Sequence, residues 1–308
     1  MNKPTPLGII DRLAPLVFLT GVSAALAFAR PAFVDSENLK TIVRQSAVII
    51  VLANGQTLLM ISGGIDLSVG SVLALSAIVA GALHALGFPP ALGALAAVAA
   101  AVTIGLVNGL VTTRARMPSF IVTLGMMGIA RGLALVISGA VSLEIPAVYS
   151  AIGQSTWFFG AGVVAVGLTA YLALSRTVFG RHAYAVGGSR EAARLSGVNA
   201  DAHLVKTFAV MGLIVGVASI LLMARVGIAS PTAGEGYELD SIAAAVIGGT
   251  SLFGGQGTIG GSIVGALIMA VLRNGCDQLN IDVNWQSVVI GAMIILAVFY
   301  DSLRRRSR

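Results

Sequence analysis

Long apolar stretches, separated by short polar segments, recur from one end of the chain to the other. Most approach the roughly 20 residues that a helix needs to cross a lipid bilayer. The pattern predicts an all-α membrane protein with about ten transmembrane helices, some of them short or interrupted. The predicted stretches are 13–29, 44–61, 69–87, 91–111, 119–139, 158–175, 207–224, 240–253, 257–272 and 286–300.

The distribution of positive charge predicts how these helices are oriented. Cytoplasmic loops of membrane proteins carry an excess of lysine and arginine. If both termini are cytoplasmic, thirteen of the nineteen lysines and arginines fall inside, which favours an even number of crossings. The first stretch follows Lys3 and Arg12 like a signal peptide, but its length of 17 residues favours an uncleaved first helix.

Composition agrees with a chain that lies mostly in lipid. Hydrophobic residues make up 56% and charged residues 10%, whereas soluble domains carry about 25% charged residues. The net charge of +6 fits positive charge retained in the cytoplasm, so no nucleic acid partner is expected. The single cysteine, Cys276, excludes an internal disulfide and a cysteine-based metal cluster.

Catalytic chemistry is not evident in the sequence. There is no phosphate-binding loop, the three histidines are scattered, and no nucleophile has a base beside it. The formal dinucleotide pattern that begins at Gly255 lies between two apolar stretches, so helix packing explains it better than cofactor binding. We expect no catalytic residue, no cofactor and no metal site. Energy from ATP, if it is used, must come from another polypeptide.

Polar residues interrupt the apolar pattern at two places. Residues 61–71 (ISGGIDLSVGS) place Asp66 and Ser68 between two apolar stretches, and residues 248–262 (GGTSLFGGQGTIGGS) repeat a glycine pair before a small polar stretch. Irregular backbone at membrane depth is buried in protein or lines a watery cavity, and paired interruptions are typical of transporters. A tight turn with Ser68 as helix cap explains the first segment equally well. The likeness of the two segments is compatible with an internal repeat of the chain but does not require one.

One polar insertion, residues 176–206, divides an otherwise single membrane domain, residues 1–308. Ser189 is a predicted N-cap and Gly197 a predicted C′ residue, which indicates about two helical turns exposed to the cytoplasm. So short a helix is unstable alone and needs a surface to dock on. The alternative is a solvated, positively charged loop. The apolar residues offered for docking are Ala192, Ala193, Leu195 and Val198.

Four stretches resemble the inner-membrane permeases of bacterial ribose- and xylose-type ABC importers. They are GGIDLSVGS (63–71), GLVNGLVTTRARMPSFIVTLG (105–125), TVFGRHAYAVGGSREAARLSGV (177–198) and GEGYELDSIAAAVIGGTSLFGGQGTIGGSIVGALI (234–268). They occur in the family's order over most of the chain. The resemblance implies a multi-pass subunit that moves a monosaccharide across the bacterial inner membrane by alternating access, with both termini cytoplasmic.

The resemblance also implies partners besides the lipid bilayer. A second permease, the same chain or a paralogue, would complete the pathway, and a periplasmic sugar-binding protein would deliver the sugar. A cytoplasmic ATP-binding subunit would hydrolyse ATP and grip a coupling helix in the insertion. The residues implied in this coupling are Ser189, Arg190, Glu191, Ala192, Ala193, Arg194, Leu195 and Gly197.

Candidate pathway residues follow from polarity and from position within the apolar stretches, because a sugar site needs convergent groups that bond hydroxyls. For each of them, hydrogen bonding between helices is the competing explanation. Arg131, also within a stretch, is expected to snorkel or to pair with an acid. The candidates are Asn54, Gln56, Asp66, Ser68, Asn108, Thr123, Thr250 and Asn274.

Other functions are compatible with parts of the same sequence pattern. A permease for a nucleoside or a branched-chain amino acid would share the same architecture. An ion-coupled secondary transporter would use Asp66 as its membrane carboxylate. A passive channel or a membrane enzyme has less support. ATP-dependent uptake that is lost on changing Glu191 or Arg194 would separate the importer from the last three.

Overall fold

The protein is built mainly of helices. The computed structural model describes the backbone of residues 6–306, where two two-residue strands, β1 (Leu143–Glu144) and β2 (Ile228–Ala229), also pair antiparallel. A 3-10 turn covers Pro31–Val34. The helices are α1 (Pro6–Ala29), α2 (Ser36–Ile61), α3 (Val69–Ala85), α4 (Pro90–Arg114), α5 (Ser119–Ser138), α6 (Ala147–Gly153), α7 (Thr156–Arg176), α8 (Val178–Gly188), α9 (Arg190–Leu195), α10 (Ala200–Val226), α11 (Tyr237–Ile247), α12 (Ile259–Gln278) and α13 (Val283–Arg306).

Six helices of the described chain are long and apolar enough to cross a bilayer. They are α2, α4, α5, α7, α10 and α12. Helix α3 and the second part of α1 (Ala14–Ala29) are also apolar but shorter. The prediction of a helical membrane protein is thereby confirmed, and the number of about ten crossings stays a prediction.

Several helix boundaries differ from the predicted ones, because caps and glycines rather than hydrophobicity set the ends of helices. Helix α2 already begins at Ser36, well before the apolar run. Helix α11 ends at Ile247, where Gly248 closes it. The 176–206 insertion contains α8, which the sequence pattern does not predict, and also the first turns of α10.

Helix α2 lies at the centre of the protein. In α2, 83% of the most apolar window is buried, compared with 17% in α5. Every side chain from Ser46 to Ile61 is buried, against α7, α10, α11 and α12. Helices α4 and α5 instead expose many large apolar residues, as expected of helices that face lipid.

Helices α4 and α10 pack very closely because glycines line their contact. A Cβ atom on Gly105 of α4 would overlap the carbonyl oxygen of Phe208, and one on Gly212 of α10 would overlap that of Ala101. Small residues allow membrane helices to approach backbone to backbone. This contact fixes α4 against the protein interior and so places Asn108, near the end of α4, beside the turn that follows α2.

Candidate functional site

The first interruption, residues 62–68, joins α2 to α3. The amides of Gly63 and Gly64 donate to the carbonyls of Met60 and Leu59, both at 2.9 Å, and close the end of α2. Gly63 has a φ of +83°, a left-handed conformation that glycine adopts without strain. The chain leaves the helix here and runs through protein at the ends of α4 and α5.

A buried polar network occupies this interruption. One carboxyl oxygen of Asp66, Oδ1, accepts from the amide of Ser68 at 2.7 Å and from its hydroxyl at 2.6 Å. The Ser68 hydroxyl in turn accepts from the Asn108 side-chain amide at 3.1 Å. Ser68 therefore occupies the N-cap position of α3, but its side chain bonds Asp66 instead of the helix. Hydrogen bonds offset the high cost of burying a carboxyl group.

The backbone of the first interruption is held by α5. The amide of Leu67 donates to the Thr123 hydroxyl, and the amide of Ile65 donates to the Ser119 hydroxyl, both at 3.0 Å. Four predicted pathway residues thus lie together: Asp66, Ser68, Asn108 and Thr123. Ser119 is an additional member of this group, and its position one turn before Thr123 is the signal that would have revealed it.

The second interruption, residues 248–258, joins α11 to α12. Its first turn matches that of the first interruption, since the amides of Gly249 and Thr250 donate to the carbonyls of Val246 and Ala245. At its other end, the Thr258 hydroxyl accepts from the amide of Gly261 at 3.1 Å and caps α12. Helix α11 precedes the Gly255 pattern, whereas a dinucleotide-binding unit needs a strand at that place.

Thr250 belongs to a hydroxyl cluster separate from Asp66. Its hydroxyl lies 3.4 Å from that of Ser262, and the Ser262 hydroxyl also bonds that of Thr57 in α2. These contacts tie the second interruption and α12 to the central helix.

Asn54 and Gln56 are fully buried in α2. Neither side-chain amide has a hydrogen-bond partner among the described residues. The Asn54 amide nitrogen would lie 3.6 Å from a Cβ atom on Gly167, which places it at the contact with α7. Buried amides are normally paired, so these two are unusual.

Asn274 lies elsewhere, on α12 near its C-terminal end. Its side-chain amide donates to Asn38 at 2.8 Å and receives a reciprocal bond at 2.9 Å. Gln278 also donates to Asn38, at 3.0 Å. The eight predicted pathway residues therefore do not form one ring. Four surround the first interruption, Thr250 lies by the second, Asn54 and Gln56 lie within α2, and Asn274 joins α12 to the start of α2.

The short helix of the 176–206 insertion is present as α9. The Ser189 hydroxyl accepts from the amide of Ala192 at 3.2 Å, and Gly197 is left-handed with a φ of +82°. Both predicted caps are thus confirmed. The Arg190 guanidinium pairs with Asp201 at 2.5 Å.

The apolar residues of α9 point in two directions. Ala193 is 3% exposed and packs with Val186, Ala200 and Val198 of the same chain, whereas Leu195 is 85% exposed. The expected single docking face of Ala192, Ala193, Leu195 and Val198 is therefore divided. The reason is that α8, absent from the predicted elements, covers one side of α9. The face open to a partner consists of Glu191, Ala192, Arg194 and Leu195.

Comparison with known proteins identifies the family. The family described as "branched-chain amino acid transport system / permease component" matches residues 38–298. The chain belongs to this permease family. The match includes both interruptions and the 176–206 insertion.

Three relatives of this permease are similar along most of their length. The ribose import permease protein of Escherichia coli (strain K12) is 36% identical, over 94% of this chain and 93% of that protein. The ribose import permease protein of Bacillus subtilis (strain 168) is also 36% identical, over 96% and 94%. The fructose import permease protein of Rhizobium meliloti is 37% identical, over 89% and 80%. No solved structure matches the permease.

The family and the fold together give the setting in which the permease works. Its relatives are transport components rather than enzymes. With six helices long and apolar enough to cross a bilayer, the permease is a multi-pass inner-membrane protein. The grouping of histidine, cysteine and acidic side chains needed for a metal ion is not found in its described part.

Two arginines of the permease bond partners that sequence alone does not identify, and Arg131, expected to snorkel or to pair with an acid, bonds backbone carbonyls among the described residues. Arg273 of α12 pairs at 2.6 Å with Asp240 of α11, whose side chain is 1% exposed. Arg131 of α5 donates to the carbonyl oxygens of Pro231 and Ala233, at 2.5 and 3.1 Å. Arg273 and Asp240 are 33 residues apart in sequence, and only the fold brings them together. These bonds fix the chain on either side of the start of α11.

Proposed function

We propose that this chain is the membrane-spanning subunit of an ATP-driven importer that carries a monosaccharide across the bacterial inner membrane. The likeness to ribose import permease proteins, over 94% or more of the chain, carries the proposal. A fructose import and a xylose transport permease are also among the relatives, which favours a monosaccharide over a nucleoside or an amino acid. Import proceeds by alternating access, with both termini in the cytoplasm.

The 176–206 insertion is the proposed docking site for a cytoplasmic ATP-binding subunit. An ABC importer needs such a subunit, and a periplasmic sugar-binding protein to deliver the sugar. Helix α9 offers Leu195 as an apolar anchor, flanked by Glu191 and Arg194. An exposed leucine on a well-capped helix is a feature that a partner's groove can bury. A second permease, identical or paralogous, completes the pathway.

Within the pathway, Asn54 and Gln56 are the proposed groups that bond the sugar. The side chains of Asp66, Ser68, Asn108, Thr123, Thr250 and Asn274 each bond another group of the chain. Among these six, Asn108 keeps a buried side-chain oxygen without a partner among the described residues, whereas in Asn54 and Gln56 both polar atoms lack one. An unpaired buried amide costs about 1–3 kcal/mol. A sugar hydroxyl offers the missing partner when the transport cycle opens the protein beside α2.

Replacement of Asn54 tests this assignment. Asn54→Leu removes an unpaired amide, so we expect unchanged or higher thermal stability, while the uptake rate for the transported sugar falls about fivefold through the lost hydrogen bond. Asn274→Leu is the matched control for stability, because it breaks the amide pair with Asn38 and lowers the melting temperature. Wild-type uptake in the Asn54 variant would contradict the assignment.

Co-purification tests the proposed function as a whole. The chain is extracted from its native membrane in mild detergent, and bound proteins are identified by mass spectrometry. Leu195→Glu should lose the ATP-binding subunit, whereas Leu86→Glu, at a similarly exposed leucine after α3, should retain it. Wild-type chain that emerges without any ATP-binding subunit would contradict the importer. Equal retention by both variants would contradict docking at α9.

A further inference from the structure

Helix α9 is connected to the interior through α8. Ala193 packs with Val186 of α8 and Ala200 of α10 in a small buried cluster. These contacts pack α9 against the helices on either side of it in sequence. A force applied to the exposed face of α9 is therefore passed to α8 and to the start of α10, because packed side chains transmit displacement.

The C-terminal end of α8 lies between the two interruptions. A Cβ atom on Gly187 would overlap the carbonyl oxygen of Ile61 and lie 2.6 Å from the amide nitrogen of Gly255. The same Gly255 amide donates to the Ile61 carbonyl at 2.9 Å. The end of α2, the second interruption and α8 thus meet backbone to backbone. We call this contact the glycine junction and define it by Ile61, Gly187, Gly254 and Gly255.

Two side chains strengthen the links to this junction. The Tyr184 hydroxyl of α8 donates to the carbonyl oxygen of Gly257 in the second interruption, at 2.9 Å. Burial raises the pKa of Tyr184, so the phenol keeps the proton that it donates. At the start of α10, His203 lies with its Nε2 atom 3.1 Å from the Ser62 hydroxyl in the first interruption. Each interruption is thus tied to the insertion by at least one side chain.

We propose that the glycine junction couples the ATP-binding subunit to both interruptions at once. A movement of α8 displaces the end of α2 and the loop before α12 together, because the backbone at Gly187 lies too close to Ile61 and Gly255 for even a Cβ atom to fit between them. Gly187 and Tyr184 are then positioning residues for transport. This inference rests on the proposed function, since it requires a subunit that moves the insertion.

Glycine variants of α8 test the junction. Gly187→Ala should keep the ATP-binding subunit bound and basal ATP hydrolysis intact, but lower sugar uptake per ATP hydrolysed about tenfold. Gly188→Ala is the matched control, because a Cβ atom there has nothing within 4 Å. Tyr184→Phe is the milder variant. It removes one hydrogen bond, should lower the same ratio about threefold, and decides the question if Gly187→Ala does not fold.

The outcomes separate this inference from the proposed function. Wild type that hydrolyses ATP in response to sugar, with the same uptake per ATP in Gly187→Ala and Tyr184→Phe, would overturn the junction alone. Wild type without a sugar-dependent ATPase would overturn the proposed function, and the role of the junction with it. A lower ratio in both variants, with Gly188→Ala like wild type, is the expected result.

Discussion

The two interruptions begin alike and are then stabilised differently. Each follows a helix closed by the same pattern of backbone hydrogen bonds, in which Ser62, Gly63 and Gly64 correspond to Gly248, Gly249 and Thr250. After that turn, the first interruption reaches α3 within a few residues. The second interruption is longer, and it has no carboxylate.

Side chains of α4 and α5 hold the first interruption, whereas the second combines side-chain bonds with close backbone contacts. Asp66, Ser68 and Asn108 are all buried and bonded to one another. In the second interruption, the Gly255 amide bonds the backbone of Ile61, and the Gly257 carbonyl accepts from Tyr184 of α8. Phe253 is 61% exposed there. Both interruptions contact the insertion, and the first is also bonded to side chains of α4 and α5.

This contrast predicts a structural task for Asp66. Its carboxyl oxygen already accepts two hydrogen bonds from Ser68, as expected of a group that fixes a turn. An ion-coupled transporter would instead need a membrane carboxylate free to bind and release its ion. We therefore expect that removing a side chain from the first interruption destabilises the protein. In the second interruption, we expect that adding a side chain at a closely packed glycine destabilises it.

The largest effect is expected from Asp66→Ala. It leaves the amide and hydroxyl of Ser68 without their acceptor in a buried site, which should lower the free energy of unfolding by about 3 kcal/mol. Thermal denaturation in detergent, followed by size-exclusion chromatography, measures the loss. Glu144→Ala, at an exposed acid, is the control. Equal stability of the two variants would show that Asp66 does not fix the turn.

Gly248→Ser comes next and tests the correspondence with Ser62. A Cβ atom on Gly248 would overlap the backbone of Gly261. Although the corresponding position 62 holds a serine, a serine at position 248 should therefore lower the free energy of unfolding by about 2 kcal/mol. Gly260→Ser is the matched control, since a Cβ atom there meets open space. The same thermal assay applies. If Gly248→Ser were as stable as Gly260→Ser, close backbone packing would not explain the second interruption.

Thr258→Ala should have the smallest effect of the three. It removes the hydroxyl that caps α12, and the loss of such a cap typically costs about 1 kcal/mol. Thr258→Ser keeps the hydroxyl and should restore most of the stability. If the Thr258→Ala and Thr258→Ser variants had the same melting temperature, the hydroxyl cap would not contribute to stability.

Local features of the site were predictable from the sequence, and contacts between distant segments were not. Asp66 and Ser68 stand out because polar residues are rare between apolar stretches, and the caps at Ser189 and Gly197 follow from local backbone chemistry. The bond from Asn108 to Ser68 depends on how α4 packs on α10, which no local pattern contains. Asn108 was therefore a candidate by polarity alone.

Helix α8 shows why the rest was missed. It is short and contains Gly180, Gly187 and Gly188, and glycine disfavours a helix in isolation. Packing stabilises α8 instead, since Gly180, Ala183 and Val186 are buried. Gly180 also allows a close approach to α7, because a Cβ atom there would overlap the backbone of Leu174. Without α8, the inward position of Ala193 and the contact of Gly187 with Ile61 could not be anticipated.

We propose that ATP, rather than an ion gradient, drives sugar import through this chain. The most direct test is uptake of radiolabelled ribose, fructose and xylose into proteoliposomes that contain the chain, its ATP-binding subunit and its sugar-binding protein. ATP is supplied at the cytoplasmic face, and ionophores collapse the proton and sodium gradients. We predict uptake of at least one sugar that requires hydrolysable ATP and is unchanged by the ionophores. Uptake that persists without ATP and collapses with the gradients would contradict the claim and make Asp66 the first candidate for ion coupling.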